Sequence, residues 1–282
     1  MYAITGVTGK VGGAVARNLI AAGQPVSAVL RDAAKAKTWK DQGCEVTLAE
    51  MSDVGALTAA FKGAEAVFIL PPPVFDPKPG FPEIRAVIAA VTEALAAARP
   101  AKIVHLSTIG AQADQPNLLT QQSLVEQALR NLTTPVTTLR PAWFMENFAW
   151  DVASARDAGV LQSFLQPLDR AIPMAATADI ARHAADLLMQ AWSKGRTVEL
   201  KSADVSPNEA AATFSRIFGR AVHAEPVGRE TWGSLFKSQG MNDPMPRIQM
   251  LDGFNEGWLT FQNPGTVVSG STSLETVLRA LV

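Results

Sequence analysis

The chain has 282 residues, 48% of them hydrophobic, which supplies a full core and excludes a disordered polypeptide. Lys+Arg 25 against Asp+Glu 26 gives a formal charge of -1, so no global field draws the protein to nucleic acid or an anionic membrane. One cysteine, Cys44, excludes an internal disulfide framework and a multi-thiolate metal site, and it agrees with a reducing cytoplasm.

Tyr2 to Thr5 reads as the first strand, and no targeting segment is expected ahead of it. Further short apolar runs at Val26 to Leu30, Glu45 to Leu48, Ala66 to Leu70 and Lys102 to Leu106 read as strands. Between them, Val11 to Ala22, Ala33 to Gln42, Val54 to Phe61 and Phe81 to Arg99 carry apolar residues at helical spacing, with Gly23, Gly43 and Gly63 at capping places. The Ala-rich stretch from Val87 to Ala98 contains Glu93 and is too short for a bilayer, so it reads as a buried helix face. A helix from about Gln121 to Asn131 and a strand at Val136 to Leu139, ended by Arg140-Pro141, add one more unit. Strict alternation of this kind predicts an α/β fold, a Rossmann-type doubly wound parallel sheet.

After Pro141 the pattern loosens into aromatic Trp143 to Trp150, a helix at Ala178 to Trp192, a strand at Thr197 to Lys201 and a helix at Pro207 to Phe218. The division that follows is a dinucleotide-binding domain over 1–141 and a smaller, mainly substrate-side lobe over 142–282. Within the second part, the helix and strand of 178–201 are expected to return to the Rossmann core.

Thr5-Gly6-Val7-Thr8-Gly9-Lys10-Val11-Gly12 follows the first strand and opens onto a helix. Gly6 and Gly9 permit a tight turn close to a pyrophosphate, Gly12 allows close helix–strand packing, and the free amides of the helix start favour phosphate. The competing reading is a tight turn that binds nothing. At the end of the second strand stand Leu30-Arg31-Asp32, with Lys35 and Lys37 beyond. A guanidinium at Arg31 can pair with a 2′-phosphate and Lys35 can add charge, so NADP(H) is preferred and NAD(H) remains possible through Asp32. Alternatively, Asp32 is a helix cap and the three cations are a solvated face.

These residues resemble the NmrA-like family, an atypical branch of the short-chain dehydrogenase/reductase superfamily that includes NADPH-dependent quinone reductases and redox-sensing regulators. The resemblance extends through Glu50-Met51-Ser52-Asp53, Phe61 to Phe68, His105 to Ala111, Leu139-Arg140-Pro141-Ala142-Trp143-Phe144-Met145-Glu146-Asn147-Phe148 and Thr177-Ala178-Asp179-Ile180-Ala181. It implies that Glu50 and Met51 lie near adenine, Leu70 and Pro71 near the ribose and pyrophosphate, and Ser107 and Thr108 near the nicotinamide. Glu50 stands where the family more usually has aspartate.

Ordinary members of the superfamily use a tyrosine acid and a lysine four residues later. Tyr2 is the one tyrosine here, and the two places fall near Gln122 and Glu126, which cannot reproduce that pair. Both residues read as a solvent-facing helix side. Ser107 has two readings, a ligand contact or a strand-end serine bonded locally. Direct hydride transfer to a quinone-like acceptor does not require the relay. Trp143, Phe144, Met145, Asn147 and Phe148, with Pro72 and Phe75 of the proline-rich loop, are candidates for the acceptor pocket; burial between lobes is the alternative for the aromatics. His105, His183 and His223 lack metal-ligand spacing, and no metal is expected. Asp179 reads as the cap of a helix beginning near Ile180.

The expected function is therefore an NAD(P)H-dependent oxidoreductase acting on a small-molecule electron acceptor. The alternative is a non-catalytic NADP(H) sensor working through a protein partner. No direct nucleic-acid or membrane partner is expected; a homodimer is compatible with the sequence.

Overall fold

In the computed structural model, which describes residues 1–282, eight strands form one parallel sheet flanked by helices. The Rossmann half runs β1 (Tyr2–Thr5), α1 (Lys10–Ala21), β2 (Val26–Leu30), α2 (Ala36–Lys40), β3 (Glu45–Leu48), α3 (Val54–Phe61), β4 (Ala66–Ile69), α4 (Pro82–Ala98), β5 (Lys102–Leu106), α5 (Thr120–Leu129) and β6 (Val136–Pro141). Then follow β7 (Trp143–Phe144), α6 (Val152–Asp157), β8 (Val160–Ser163), β9 (Ile172–Ala175), α7 (Thr177–Met189), β10 (Thr197–Lys201) and β11 (Ala203–Val205). The chain closes with α8 (Pro207–Phe218), β12 (His223–Pro226), α9 (Trp232–Ser238), α10 (Met245–Glu256), β13 (Val268–Ser269) and α11 (Leu274–Leu281).

The strand order is β13-β10-β6-β5-β4-β1-β2-β3, so the winding direction reverses between β1 and β4. A ligand crevice belongs outside the carboxyl ends of the strands at such a reversal, because the loops there diverge. Side-chain alternation along β1 explains the two-sided core: Tyr2 and Ile4 join the cluster beneath α1 and α7, whereas Ala3 joins the cluster beneath α3, α4 and α5. Each fully buried aliphatic side chain contributes roughly 1.5–3 kcal/mol, so this double face holds the sheet firmly.

Two features depart from the sequence expectation. The β6 strand does not stop before Arg140-Pro141 but runs through both residues, with Leu200 opposite Pro141. Proline is tolerated because its carbonyl still accepts from the Ile109 amide at 2.8 Å and the sheet asks for no donor there. Helix α7 begins at Thr177, before Asp179. Glu146 serves its start by accepting from the Thr177 amide at 2.9 Å and hydroxyl at 2.6 Å. Asp179 is fully buried instead, accepting from Ser202 Oγ at 2.7 Å, Thr272 N at 2.9 Å and Thr272 Oγ1 at 2.9 Å. Burial alone would push its carboxyl up, but those hydrogen bonds outweigh it and hold the group below the usual carboxylate range.

In the second half of the chain, α7 packs on α1, and β10 and β13 extend the large sheet beyond β6. The rest forms a lobe over the strand ends, built on the small sheet β11-β9-β7 and the pair β12-β8. Pairing of Trp143 with Met174 and of Phe144 with Ala175 fixes the segment just after β6 as part of that lobe. No helix is long and apolar enough to cross a membrane.

Candidate functional site

The turn after β1 is shaped by backbone constraint. Gly6 has φ +68 and its amide neighbour Gly9 donates back to the Gly6 carbonyl at 3.0 Å, closing the loop on itself. A Cβ on Gly12 would stand 2.4 Å from the Gly6 oxygen, so only glycine lets α1 pack this closely. Thr8, Gly9 and Lys10 are exposed above it, at the amino end of α1, whose first amides have no acidic side chain in the first turn to occupy them. Thr5 ties this turn to its neighbour: its hydroxyl donates to the Phe68 carbonyl at 3.0 Å and accepts from the Leu70 amide at 2.9 Å. Leu70 is thereby held against Gly6, and Pro71 beside it is buried.

At the end of β2 the acid is already committed. Asp32 Oδ1 accepts from the Ala34 amide at 3.0 Å and caps the short 3-10 turn, while Arg31 and Lys35 are exposed and carry no side-chain partner. Lys37 is spent on Asp41 at 2.7 Å. After the neighbouring edge strand β3, Glu50 is exposed and Met51 packs partly onto the smaller core cluster. The free amides and the two unpaired cations suit an adenine dinucleotide carrying a 2′-phosphate, with glycine turn and guanidinium on adjacent strands.

The carboxyl end of β5 carries a buried polar network that the sequence reading did not foresee. Glu126 does not face solvent, and Gln122 is half-buried. Glu126 is 2% exposed and accepts from Arg140 through both carboxylate oxygens, at 2.8 and 2.6 Å. Ser107 donates to the same carboxylate at 2.6 Å, and Gln122 pairs with the His105 ring at 3.2 Å. The remaining guanidinium edge of Arg140 donates to Gln112 at 3.0 Å and Gln262 at 2.8 Å, and Glu199 anchors the 262–263 backbone. Helix periodicity does not reveal this, because the partner of Glu126 lies on another element. The available signal was Arg140 itself: a guanidinium within a buried strand demands an acid.

The network settles protonation states. Burial alone would raise the Glu126 carboxyl, but the hydrogen bonds from Arg140 and Ser107 and the Arg140 charge outweigh it, holding the group below the usual range. His105 is fully buried and its ring is pushed from 6.5 to about 4, chiefly by desolvation. At neutral pH the pair is therefore carboxylate and neutral imidazole. Tyr2, at the opposite end of β1 from the glycine turn, donates to Glu65 at 3.0 Å and is remote from this chemistry.

The aromatic segment after β6 divides between wall and core. Trp143, Phe144 and Asn147 are half-buried, whereas Met145 is fully enclosed and Phe148 packs edge-on to Phe214 at 6.5 Å. Met145 and Phe148 therefore join the lobe junction, because their period along the 3-10 turn points them inward. Trp143 stands edge-on to Phe254 of α10 at 5.0 Å. Pro72 and Phe75 are exposed on the loop between β4 and α4, with Thr108 half-buried below. That loop is strapped across to the second lobe: Asp76 accepts from the Asn242 amide at 2.8 Å, its side chain at 2.7 Å and the Asp243 amide at 3.0 Å. Gln121 secures its middle by donating to the Val74 carbonyl at 2.9 Å. No group of three or more His, Cys, Asp or Glu side chains is placed to hold a metal.

A doubly wound sheet with a glycine turn at its switch point, a second lobe over the strand ends and no tyrosine at the site defines an atypical protein of the short-chain dehydrogenase/reductase architecture. The chain belongs to the NmrA-like family, whose model matches residues 2–255. It is 28% identical to quinone oxidoreductase 2 of Escherichia coli (strain K12) over 246 residues, 86% of this chain and 83% of that one. It is also 31% identical over 231 residues to the (4-alkanoyl-5-oxo-2,5-dihydrofuran-3-yl)methyl phosphate reductase of Streptomyces griseus subsp. griseus, covering 81% and 77%. Among solved structures, the NADPH-dependent quinone oxidoreductase of Escherichia coli complexed with NADPH superposes with a TM-score of 0.82 at 25% identity, over 100% of both chains.

Proposed function

We propose that the protein is an oxidoreductase that binds NADP(H), with NAD(H) the weaker alternative, and reduces a small quinone-like or otherwise electron-poor acceptor. The observation that carries the cofactor preference is the pair at the end of β2: Arg31 is unpartnered while the neighbouring Asp32 is occupied as a cap. In this reading Gly6, Thr8, Gly9, Lys10, Val11 and Gly12 hold the diphosphate, Arg31 and Lys35 the 2′-phosphate, and Glu50, Met51, Leu70 and Pro71 the adenosine half. When bound, the reduced nicotinamide supplies a hydride, and the acceptor takes its remaining proton from water.

Ser107 and Thr108 would orient the nicotinamide end. Since the Ser107 proton is directed at Glu126, its free lone pairs serve as an acceptor for an N–H donor. Arg140 and Glu126 keep that serine in one rotamer. Pro72, Trp143, Phe144 and Asn147 line the acceptor side, and the strap held by Asp76 limits water there. Positioning and desolvation, with no general acid of tyrosine type, then supply the catalysis. The names of these two curated relatives specify redox chemistry on a small molecule, which favours turnover over a non-catalytic sensor acting through a protein partner. The buried thiol of Cys44 suits a reducing cytoplasm.

The test is NADPH oxidation by purified protein in the presence of benzoquinone or naphthoquinone. Acceleration over the acceptor-free rate is the expected result. Intact NADPH binding without acceleration across a panel of such acceptors defeats the reductase reading, and absence of calorimetric heat with every nicotinamide coenzyme defeats the cofactor assignment as well.

A further inference from the structure

Arg140 and Arg247 are the two arginines that are not solvent-exposed. Arg140 is matched by a carboxylate, but Arg247 on α10 has none. Its guanidinium lies over the Phe236 ring at 4.2 Å and near Phe164 at 5.9 Å, and its side-chain hydrogen bond goes to Met241 Sδ at 3.9 Å. Burial depresses its basicity, and no carboxylate is paired with it to restore it. Stacking uses the flat face of a guanidinium and leaves the N–H edge free, so the donors of Arg247 lack oxygen partners although the group is half-buried.

Its position links that unmet demand to the acceptor side of the cleft. Arg247, Leu251 and Phe254 recur at the spacing of one helix face, and Phe254 is the ring against which Trp143 stands. At a rise of about 1.5 Å per residue, Arg247 lies roughly 10 Å along α10 from Phe254. Trp143, Phe164 and Met241 all pack on the same small cluster of Trp232, Phe236, Ile248 and Leu251. The residues clasped by the Asp76 strap, Asn242 and Asp243, stand one turn before it.

We infer that Arg247 is an anion-recognising subsite, which takes the carboxylate, sulfonate or phosphate substituent of an aromatic or quinone-like acceptor whose ring rests against Trp143. The inference deepens the reductase reading of the same cleft and rests on it. An anionic oxygen would complete the guanidinium edge with charge-assisted hydrogen bonds, in surroundings where the apolar rings strengthen them. The competing role is a guanidinium that simply covers Phe236.

The experiment compares 1,4-naphthoquinone with 1,4-naphthoquinone-2-sulfonate as acceptors for NADPH oxidation by the wild type, Arg247→Lys and Arg247→Met. The kcat/KM of Arg247→Met is expected to fall about 10- to 100-fold further for the sulfonate than for the neutral quinone, through KM, with Arg247→Lys between it and the wild type. Equal losses on both acceptors, or none on the sulfonate, overturn the subsite. Should the wild type reduce neither quinone, the reductase reading fails separately, and calorimetry of naphthalene-1-sulfonate with the NADP+-loaded protein decides the subsite. Binding that Arg247→Met abolishes supports it; binding that is absent or unchanged overturns it.

Discussion

The two sides of the cleft bury charge in opposite ways. Beneath the Rossmann strand ends, Arg140 is locked to Glu126 through two hydrogen bonds, and Ser107, Gln112 and Gln262 are recruited to the pair. In the second lobe Arg247 rests on aromatic rings without an acid, and Asp151 at the start of α6 is drawn into the protein without a base. A satisfied network fixes one geometry, which suits the support of a cofactor. Unpaired groups keep their capacity for a ligand or a proton, and they hold the lobe less stable than full pairing would.

Making the first region resemble the second gives the largest effect. Glu126→Ala deprives the buried Arg140 charge of its bidentate carboxylate and leaves Glu199, at 4.0 Å, as the nearest acid, which costs about 3–5 kcal/mol in urea unfolding. The double variant Glu126→Leu with Arg140→Met recovers most of that loss if pairing is the cause; a single-variant cost below about 1 kcal/mol contradicts the contrast. Next comes Asp151, whose carboxyl burial pushes up to about 7. A raised folded value means that the favourable protonated form is lost as pH climbs through 7. Asp151→Asn therefore stabilises the protein by a few kcal/mol above pH 7 and has little effect below about pH 4.

His105 slopes the other way. Its ring value is lowered from 6.5 to about 4, so the unfolded chain binds the extra proton and stability declines as pH falls between those values, by about 3 kcal/mol. Thermal unfolding across pH 4–7 measures both: His105→Asn removes the acid-side decline, and an unchanged pH slope in that variant rules out a neutral buried imidazole. Arg31→Ala has a smaller and more selective consequence, weakening NADPH by about 10- to 100-fold in a fluorescence titration and NADH by much less. Equal weakening of both coenzymes removes Arg31 from the 2′-phosphate. The mildest change is Asp76→Ala. The backbone and side-chain donors of Asn242 and the amide of Asp243 hold the Asp76 carboxyl below its ordinary value, so the strap is intact at neutral pH. Removing it should speed hydrogen exchange over 71–80 while leaving the melting temperature unchanged; unaltered exchange there denies the strap.

The strands β1 to β5 were legible because each is a short run rich in apolar or β-branched residues set off by a turn signal, Gly6, Gly23, Gly43 and Gly63 for the first four and Pro100 for β5, and β10 follows Gly195 in the same way. The strands β8, β9, β11 and β12 and the helices α9 and α10 were not foreseen. Those strands are interrupted by polar residues or proline, as at Gln162, Pro173, Asp204 and Glu225, and the apolar residues of α10, such as Met245, Ile248, Met250, Leu251 and Phe254, do not keep to one stripe. At the site, the turn geometry of Gly6 and Gly12 could be read in place because it depends on neighbours within a few residues. Glu126 and Asp179 could not: one answers Arg140 from the next strand, and the other answers Thr272 from a segment 93 residues away. The same limit applies to Met145 and Phe148, whose aromatic and thioether side chains look like a pocket wall until the lobes close over them.

The order of amino acids was sufficient for the doubly wound sheet and for the glycine turn, since periodicity and backbone sterics act over a single turn or strand. Which charges are quenched and which are left waiting, as at Arg140 and Arg247, was decided only when distant segments came together, because a buried ion is defined by whatever the fold brings within a few ångströms of it.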